Sequence, residues 1–394
     1  MELKQAQLSR QQPAPPPGAA AESARLAEIE MLRATAVLMV LVGHVFYGLV
    51  FWPSHFVTTY IMPSGLRGGV DLFFAISGFV IARALLPRLA GITDTRGFIL
   101  AAQDFWIARA WRLLPSAWLW LTMPLILSLA FNRTGVFGPF ESNWAMFIAG
   151  LLFLGNFHLA TAGPAPFTAF PQWSLSLEEQ FYFILPLAAF FLRRYLVGGL
   201  ALIVLAGFLV PNTPLTLAIR LWPVALGVLL AIWSRHPSYQ HCAPTGLARH
   251  PVLRAALFIL LLACLISTGA PDLHIVPFYQ GVVAVISGLL VWLASYDRNF
   301  LSGPGPLRRV MEFIAARSYS LYLVHIPVYC SMCELWRRWY GSTLPSHVQQ
   351  GGIFLAAGAA VLLVAELNHR LLETPLRNHG KRLVTRRRAA RAAT

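Results

Sequence analysis

The chain has 394 residues, of which 57% are hydrophobic and only 12% charged. Soluble domains are about 45–50% apolar and about 25% charged, so a soluble globular protein and a disordered one are both excluded. The net charge of +15 would suggest nucleic acid in a soluble protein. In a membrane protein it marks cytoplasmic loops, so the expected partner is the lipid bilayer and no nucleic acid.

Residues 1–28 are polar and rich in Pro, Ala and Gln. They read as a disordered cytoplasmic tail, without the apolar core of a signal peptide. Residues 376–394 read as a basic cytoplasmic tail, and 29–375 as one membrane-embedded domain. Apolar runs fall at 31–51, 68–87, 113–131, 180–195, 196–211, 217–234, 252–269, 275–296, 318–336 and 350–371. Each is near the length that crosses a bilayer, which predicts an all-α polytopic membrane protein of about ten transmembrane helices. A further run at 143–160 is ambiguous, and charge arbitrates. With ten spans and the N-terminus inside, only Arg67, Arg133, Arg220, Arg337 and Arg338 lie outside. An eleventh span would flip everything after residue 160 and put most of the basic residues outside, against the positive-inside rule. The segment near 143–160 is therefore expected to be re-entrant on the outer side, and 132–179 to build part of an outward-facing cavity. Both termini are then cytoplasmic. The four cysteines offer no disulfide framework, and Cys330 and Cys333 read as small apolar helix residues rather than a metal or redox pair. No metal site is expected.

Chemistry-bearing residues come in five groups. Arg33 and His44 lie eleven residues apart on the first predicted helix, about 16 Å of rise. Arg33 is thus placed at the inner interface and His44 within the bilayer. An ionisable group there is a functional candidate, and His is the usual base near neutral pH; a hydrogen bond between helices is the alternative. Asp71 opens the next helix at a depth within about 6 Å of His44. It can orient the imidazole or cap its own helix. Ser77 and Gly78 on that helix suit close packing. Arg109 and Arg112 share one helix face at the cytoplasmic mouth, a pattern that binds phosphate or simply anchors the helix. In Trp173-Ser-Leu-Ser-Leu-Glu178-Glu179-Gln-Phe-Tyr182, two carboxylates stand at the outer mouth of a helix. Ser176 and Glu179 fit a capping box, leaving Glu178 for proton transfer or a sugar hydroxyl. Ser318-Tyr-Ser-Leu-Tyr322-Leu-Val-His325 is a polar stripe on a membrane helix. His325 is either a second site residue or a bond between helices. No Walker A, HExxH, dinucleotide or nucleophile-elbow motif occurs.

In this order the five motifs resemble the acyltransferase-3 family of integral-membrane O-acyltransferases, over about Glu30 to Pro375. The family's Arg and His fall on Arg33 and His44, and its Arg-x-x-Arg on Arg109 and Arg112. Its Asp-x-Phe-Phe-x-x-Ser-Gly-Phe begins at Asp71, and its Trp-Ser-Leu-x-x-Glu-x-x-Phe-Tyr runs from Trp173 to Tyr182. The Ser-Tyr-His stretch falls on Ser318 to His325 with one register change, and Glu30 stands where many relatives carry Asp. Many relatives also have a fused hydrolase-like domain after the last span, and none is expected in residues 376–394.

The resemblance implies an enzyme of the bacterial inner membrane. It would move an acyl group, most simply acetyl, from cytosolic acetyl-CoA or another acyl-CoA to a hydroxyl of a surface carbohydrate or glycolipid. Acyl-CoA is then a co-substrate, and no bound cofactor is expected. Arg33, Arg109 and Arg112 would hold the CoA phosphates. His44 would act as general base or acyl carrier, oriented by Asp71 or Glu178. Trp173, Tyr182 and His325 would face the acceptor. A small hydrophobic acceptor such as a macrolide is one alternative, and a proton-coupled secondary transporter another, although no inverted repeat is visible. Acceptor, acyl length and oligomeric state are not encoded legibly.

Overall fold

A computed structural model describes residues 26–50, 64–161, 171–270, 276–341 and 343–393, apart from the side chains of 46–48. Of the predicted N-terminal tail only the last residues are included, and the end of the first predicted span also lies outside the described part. The described chain is all α, without a strand.

Its main helices are α1 (Ala27–Gly48), α2 (Gly68–Leu89), α3 (Thr95–Ala130), α4 (Phe140–Leu151), α5 (Gly155–Thr161), α6 (Gln172–Leu192) and α7 (Leu196–Leu209). They continue with α8 (Trp222–Trp233), α9 (Pro251–Thr268), α10 (Tyr279–Ser295), α11 (Pro306–Ala316), α12 (Ser318–Tyr340), α13 (His347–Asn368) and α14 (Thr374–Ala392). Every predicted apolar run falls on one of these helices, but among the described residues six helical stretches are long and apolar enough to cross a membrane. They are Gly65–Leu89, Thr95–Ala130, Gln172–Leu209, Pro214–Trp233, Pro251–Thr268 and His347–Ala392. The protein is a multi-pass membrane protein, and the finer count of ten spans stays an expectation. The reason for the difference is plain at α12. It has 23 residues, enough to cross, but its interior-facing Ser318, Ser320, His325 and Glu334 are all buried and lower its apolarity.

The bundle centres on α2. Gly78 of α2 and Gly227 of α8 let these two helices touch backbone to backbone. A Cβ on Gly78 would stand 2.2 Å from the Val224 carbonyl oxygen, and one on Gly227 would stand 2.1 Å from that of Ala75. Only glycine allows that approach. On the other side, Gly69 packs on Ala36 and Met39 of α1, and Gly43 meets Leu66. The two helices are therefore antiparallel, with His44 further toward the Leu66 end than Asp71.

The ambiguous segment 143–160 is two short helices rather than one span. They are 12 and 7 residues long, each too short to cross a bilayer alone. Phe153 breaks them with φ of 56°, a conformation that bulky residues rarely adopt. Gln180 of α6 fixes the break by donating to the Phe153 carbonyl at 2.6 Å and to Asn156 Oδ1 at 3.0 Å.

The basic C-terminal stretch is an ordered helix. A π-helical turn at His369–Glu373 joins α13 to α14. The new helix docks on the extension of α3, where Arg388 and Arg391 reach the buried Asp104 at 2.9 and 3.2 Å. Gly380 lies against the Trp111 side chain.

Candidate active site

Two cavities meet the middle of the bundle from opposite ends. The first has a volume of about 150 Å³ and is lined by Arg33, Arg109, Arg112 and Arg377, with Glu30, Glu178 and Glu373 among them. Four helices converge to place this charge: α1 brings Arg33, α3 brings Arg109 and Arg112, α6 brings Glu178 and α14 brings Arg377. Arg33 pairs with Glu30 at 3.1 Å. The Arg109 guanidinium lies over the Tyr182 ring, 5.3 Å from its centre, a cation–π contact. The Arg112 Nε is buried without a hydrogen-bond partner among the described residues. A buried, unsatisfied guanidinium donor costs free energy, and an incoming phosphate oxygen would satisfy it.

Deeper in this cavity, Ser77 Oγ donates to Glu178 Oε1 at 2.8 Å, and the Tyr182 hydroxyl donates to the same oxygen. Glu373 accepts from Ser320 Oγ at 2.7 Å and meets His369 Nδ1 at 3.0 Å. The cavity closes at Phe74, Ser174 and Tyr322, where the hydroxyls of Ser174 and Tyr322 bond to each other.

Next to Tyr322 stands His325, which is bonded to His44. The His44 Nδ1 lies 2.9 Å from Nε2 of His325, and the two rings stack with centroids 5.0 Å apart. The Tyr322 ring is 5.7 Å from that of His325. Which of the two rings donates in this bond depends on the tautomers they adopt. His325 Nδ1 is buried without a hydrogen-bond partner among the described residues.

The second cavity has a volume of about 270 Å³. Asp71, Arg67, Arg220, Trp173, Asn156 and Gln280 line it. Arg220 Nε lies 3.6 Å from Asp71 Oδ1, an ion pair too long to be a hydrogen bond. Its guanidinium stacks 4.6 Å from the centre of the Trp173 ring. Arg67 Nε donates to the Gly269 carbonyl at 3.0 Å. Both partners of the Asp71–Arg220 pair are buried. Breaking such a pair from one side costs about 3–5 kcal/mol. Asp71→Ala should therefore lower the melting temperature more than Asp71→Ala combined with Arg220→Leu, measured in one detergent.

The geometry corrects several expectations. Glu178 is not at an outer mouth: α6 begins at Gln172, so Glu178 is well inside the helix and shares the arginine cavity. Ser176 for the same reason is no N-cap, and it accepts from the Gly155 amide at 3.1 Å. Asp71 does not cap α2, which starts at Gly68; it pairs with Arg220, and the side chain bonded to His44 is instead His325. Tyr182, expected beside an acceptor, lies with Arg109, while Trp173 lines the second cavity. His325, read as either site residue or helix bond, is the partner of His44. Arg220, Glu373 and Arg377 were missed as cavity residues. Each reads in sequence as a helix-end or loop charge, and only long-range packing brings it to a cavity.

The sequence profile of an acyltransferase domain family matches residues 26–365. The chain belongs to the acyltransferase-3 family. It is similar to the peptidoglycan O-acetyltransferase OatA of Listeria monocytogenes, 26% identical over 89% of this chain and 56% of the relative. It is equally similar, at 26% identity, to the O-acetyltransferase OatA of Staphylococcus aureus, over 79% of this chain and 53% of the relative. The chain thus spans about half the length of these curated relatives. No solved structure matches it. The family match covers both histidines and Arg33, Arg109 and Arg112, so the His44–His325 pair and three of the four cavity arginines lie inside it, while Glu373 and Arg377 follow it.

Proposed function

We propose that this protein transfers an acyl group, most simply acetyl, from cytosolic acyl-CoA to a hydroxyl of a cell-surface carbohydrate in a bacterial inner membrane. One observation carries this: an arginine-lined cavity with a buried, unpartnered Arg112 Nε reaches Tyr322, whose ring lies beside His325, the hydrogen-bond partner of His44. The names of the relatives support an acceptor of the peptidoglycan class.

Arg33, Arg109, Arg112 and Arg377 receive the CoA phosphates through charge-assisted bonds. The pantetheine arm extends toward Tyr322. The acceptor enters from the opposite cavity, where Trp173 offers a stacking face and Asp71, Asn156 and Gln280 offer hydrogen bonds to sugar hydroxyls. His44 Nε2 takes the proton of the attacking hydroxyl. The new C–O bond forms as the thioester C–S bond breaks, and the proton passes to the CoA sulfur. His325 is a positioning residue, which fixes the His44 tautomer by accepting from Nδ1, the role a carboxylate plays in other triads. Glu178, held by Ser77 and Tyr182, shapes the donor side.

The test is CoA binding by purified protein. Arg112→Gln should weaken it at least about tenfold, the equivalent of one charge-assisted hydrogen bond, with an unchanged melting temperature. Unchanged affinity would remove the donor from this cavity.

A further inference from the structure

A third cavity lies on the far side of α2. It has a volume of about 320 Å³ and is bordered by Arg83, Arg235 and Arg298 with Tyr239, Gln240 and Tyr296. The α2 residues it uses are Phe79, Arg83 and Pro87, whereas the donor cavity uses Ser77, Val80 and Ile81. At helical spacing these two sets lie on different faces of α2, so the helix itself separates the two sites.

The three arginines come from three places in the sequence. Arg83 is within α2, Arg235 follows α8 and Arg298 follows α10. None of them forms an ion pair with a carboxylate among the described residues. Asp297, the acidic neighbour of Arg298, is turned elsewhere: it accepts from the Glu28 amide at 3.0 Å and pairs with Arg308 at 3.7 Å. That contact with Glu28 also shows that the cavity is at the Arg33 end of the bundle.

The floor is built and polar. Tyr239 is buried, and its ring stacks on that of Tyr296 with centroids 4.5 Å apart. The Tyr296 hydroxyl donates to the Tyr239 carbonyl at 2.7 Å, and the Tyr239 hydroxyl bonds to Ser295. Gln240 accepts from Arg298 Nη2 at 3.2 Å and so turns that side chain toward the cavity. Positive charge after a helix also complements the helix dipole. That accounts for each of Arg235 and Arg298 singly, but not for their convergence with Arg83 from inside α2.

We infer that this cavity is a second organic-phosphate site, independent of the donor cavity. Basic pockets between membrane helices on the cytoplasmic side recognise phospholipid headgroups, and free CoA carries the same phosphate chemistry. The experiment separates these two sources. Full-length protein is equilibrated in phosphatidylcholine micelles containing phosphatidylglycerol, and the phosphatidylglycerol retained per chain is counted by mass spectrometry. Binding of free CoA is titrated in parallel in phosphatidylcholine nanodiscs. Arg83→Gln/Arg235→Gln/Arg298→Gln is compared with Arg88→Gln/Arg249→Gln/Arg309→Gln, which removes the same charge from exposed positions outside the cavity.

The first triple variant should lose at least about tenfold in one of the two ligands, with the control unchanged. Loss of phosphatidylglycerol assigns the site to lipid, and loss of a second CoA-binding event, with the event at the donor cavity unchanged, assigns it to a free nucleotide phosphate. Equal retention of both ligands by both variants overturns the proposal. Should the triple variant fail to fold, the exposed single replacements Arg235→Gln and Arg298→Gln decide it on the same criterion.

Discussion

His44→Ala should slow acyl transfer by about two to four orders of magnitude, the usual contribution of a positioned general base, while CoA binding stays within about twofold. The split follows from the separation in the structure. The arginines line a cavity that includes Tyr322 but not His44, which is bonded to His325. His325→Gln should lie between wild type and His44→Ala. Its amide oxygen can still accept from His44 Nδ1, whereas His325→Ala removes the acceptor altogether. Steady-state release of CoA, with acceptor saturating, checks all three variants. A purely structural histidine pair would give parallel losses of activity and melting temperature, without rescue by glutamine.

The second large effect concerns stability. Glu28 is fully buried, and its carboxylate accepts from the backbone amides of Phe300, Leu301 and Ser302. It thereby ties the start of α1 to the loop before α11. Glu28→Ala would leave these three amides without their acceptor. At about 1–3 kcal/mol for each buried unsatisfied group, the loss is at least about 3 kcal/mol. Glu28→Gln keeps one acceptor oxygen and should lose about half as much. Unfolding in mixed micelles, read by tryptophan fluorescence, checks the order wild type, Gln, Ala. Stability of both variants equal to that of wild type would show that the amide contacts contribute nothing.

Glu28 also marks the limit of what the sequence made legible. By composition it belongs to the polar N-terminal stretch, and nothing local distinguishes it from an exposed helix-start carboxylate. Its partners are some 270 positions away along the chain. Apolar periodicity, in contrast, is local, so every predicted run falls on a helix. Arg33, Arg109 and Arg112 were legible as a group because a helix face and a shared end of the bundle are both readable from spacing. The second half of that cavity was not. Arg377 and Glu373 follow what looks like the end of a span, and only the π-helical turn and the docking of α14 on α3 bring them in.

Glu178 shows a different failure. An early start for α6 at Gln172 moved it from a helix mouth into the interior. The partner of His44 was misassigned because spacing gives neither the relative depth of two helices nor the direction a side chain faces. With Gly69 beside Ala36 and Gly43 beside Leu66, Asp71 lies nearer the Arg33 end than His44 and is turned to Arg220, and His325 on α12 completes the pair instead. Arg220 itself reads as an outer-loop charge, and its stacking on Trp173 is visible only in three dimensions.

The central claim is that an acyl group enters from CoA at the arginine end and reaches an acceptor through the His44 region. It is tested most directly with purified protein in nanodiscs, given acetyl-CoA labelled in the acetyl group and a crude peptidoglycan-precursor acceptor. Free CoA and acceptor-bound label are followed together. The structure and family predict equimolar CoA release and label transfer in wild type, and loss of both in His44→Ala with CoA binding intact. Well-folded wild type that neither binds nor cleaves any of several acyl-CoAs would contradict it, and would point instead to a carrier that uses the same buried charges for transport.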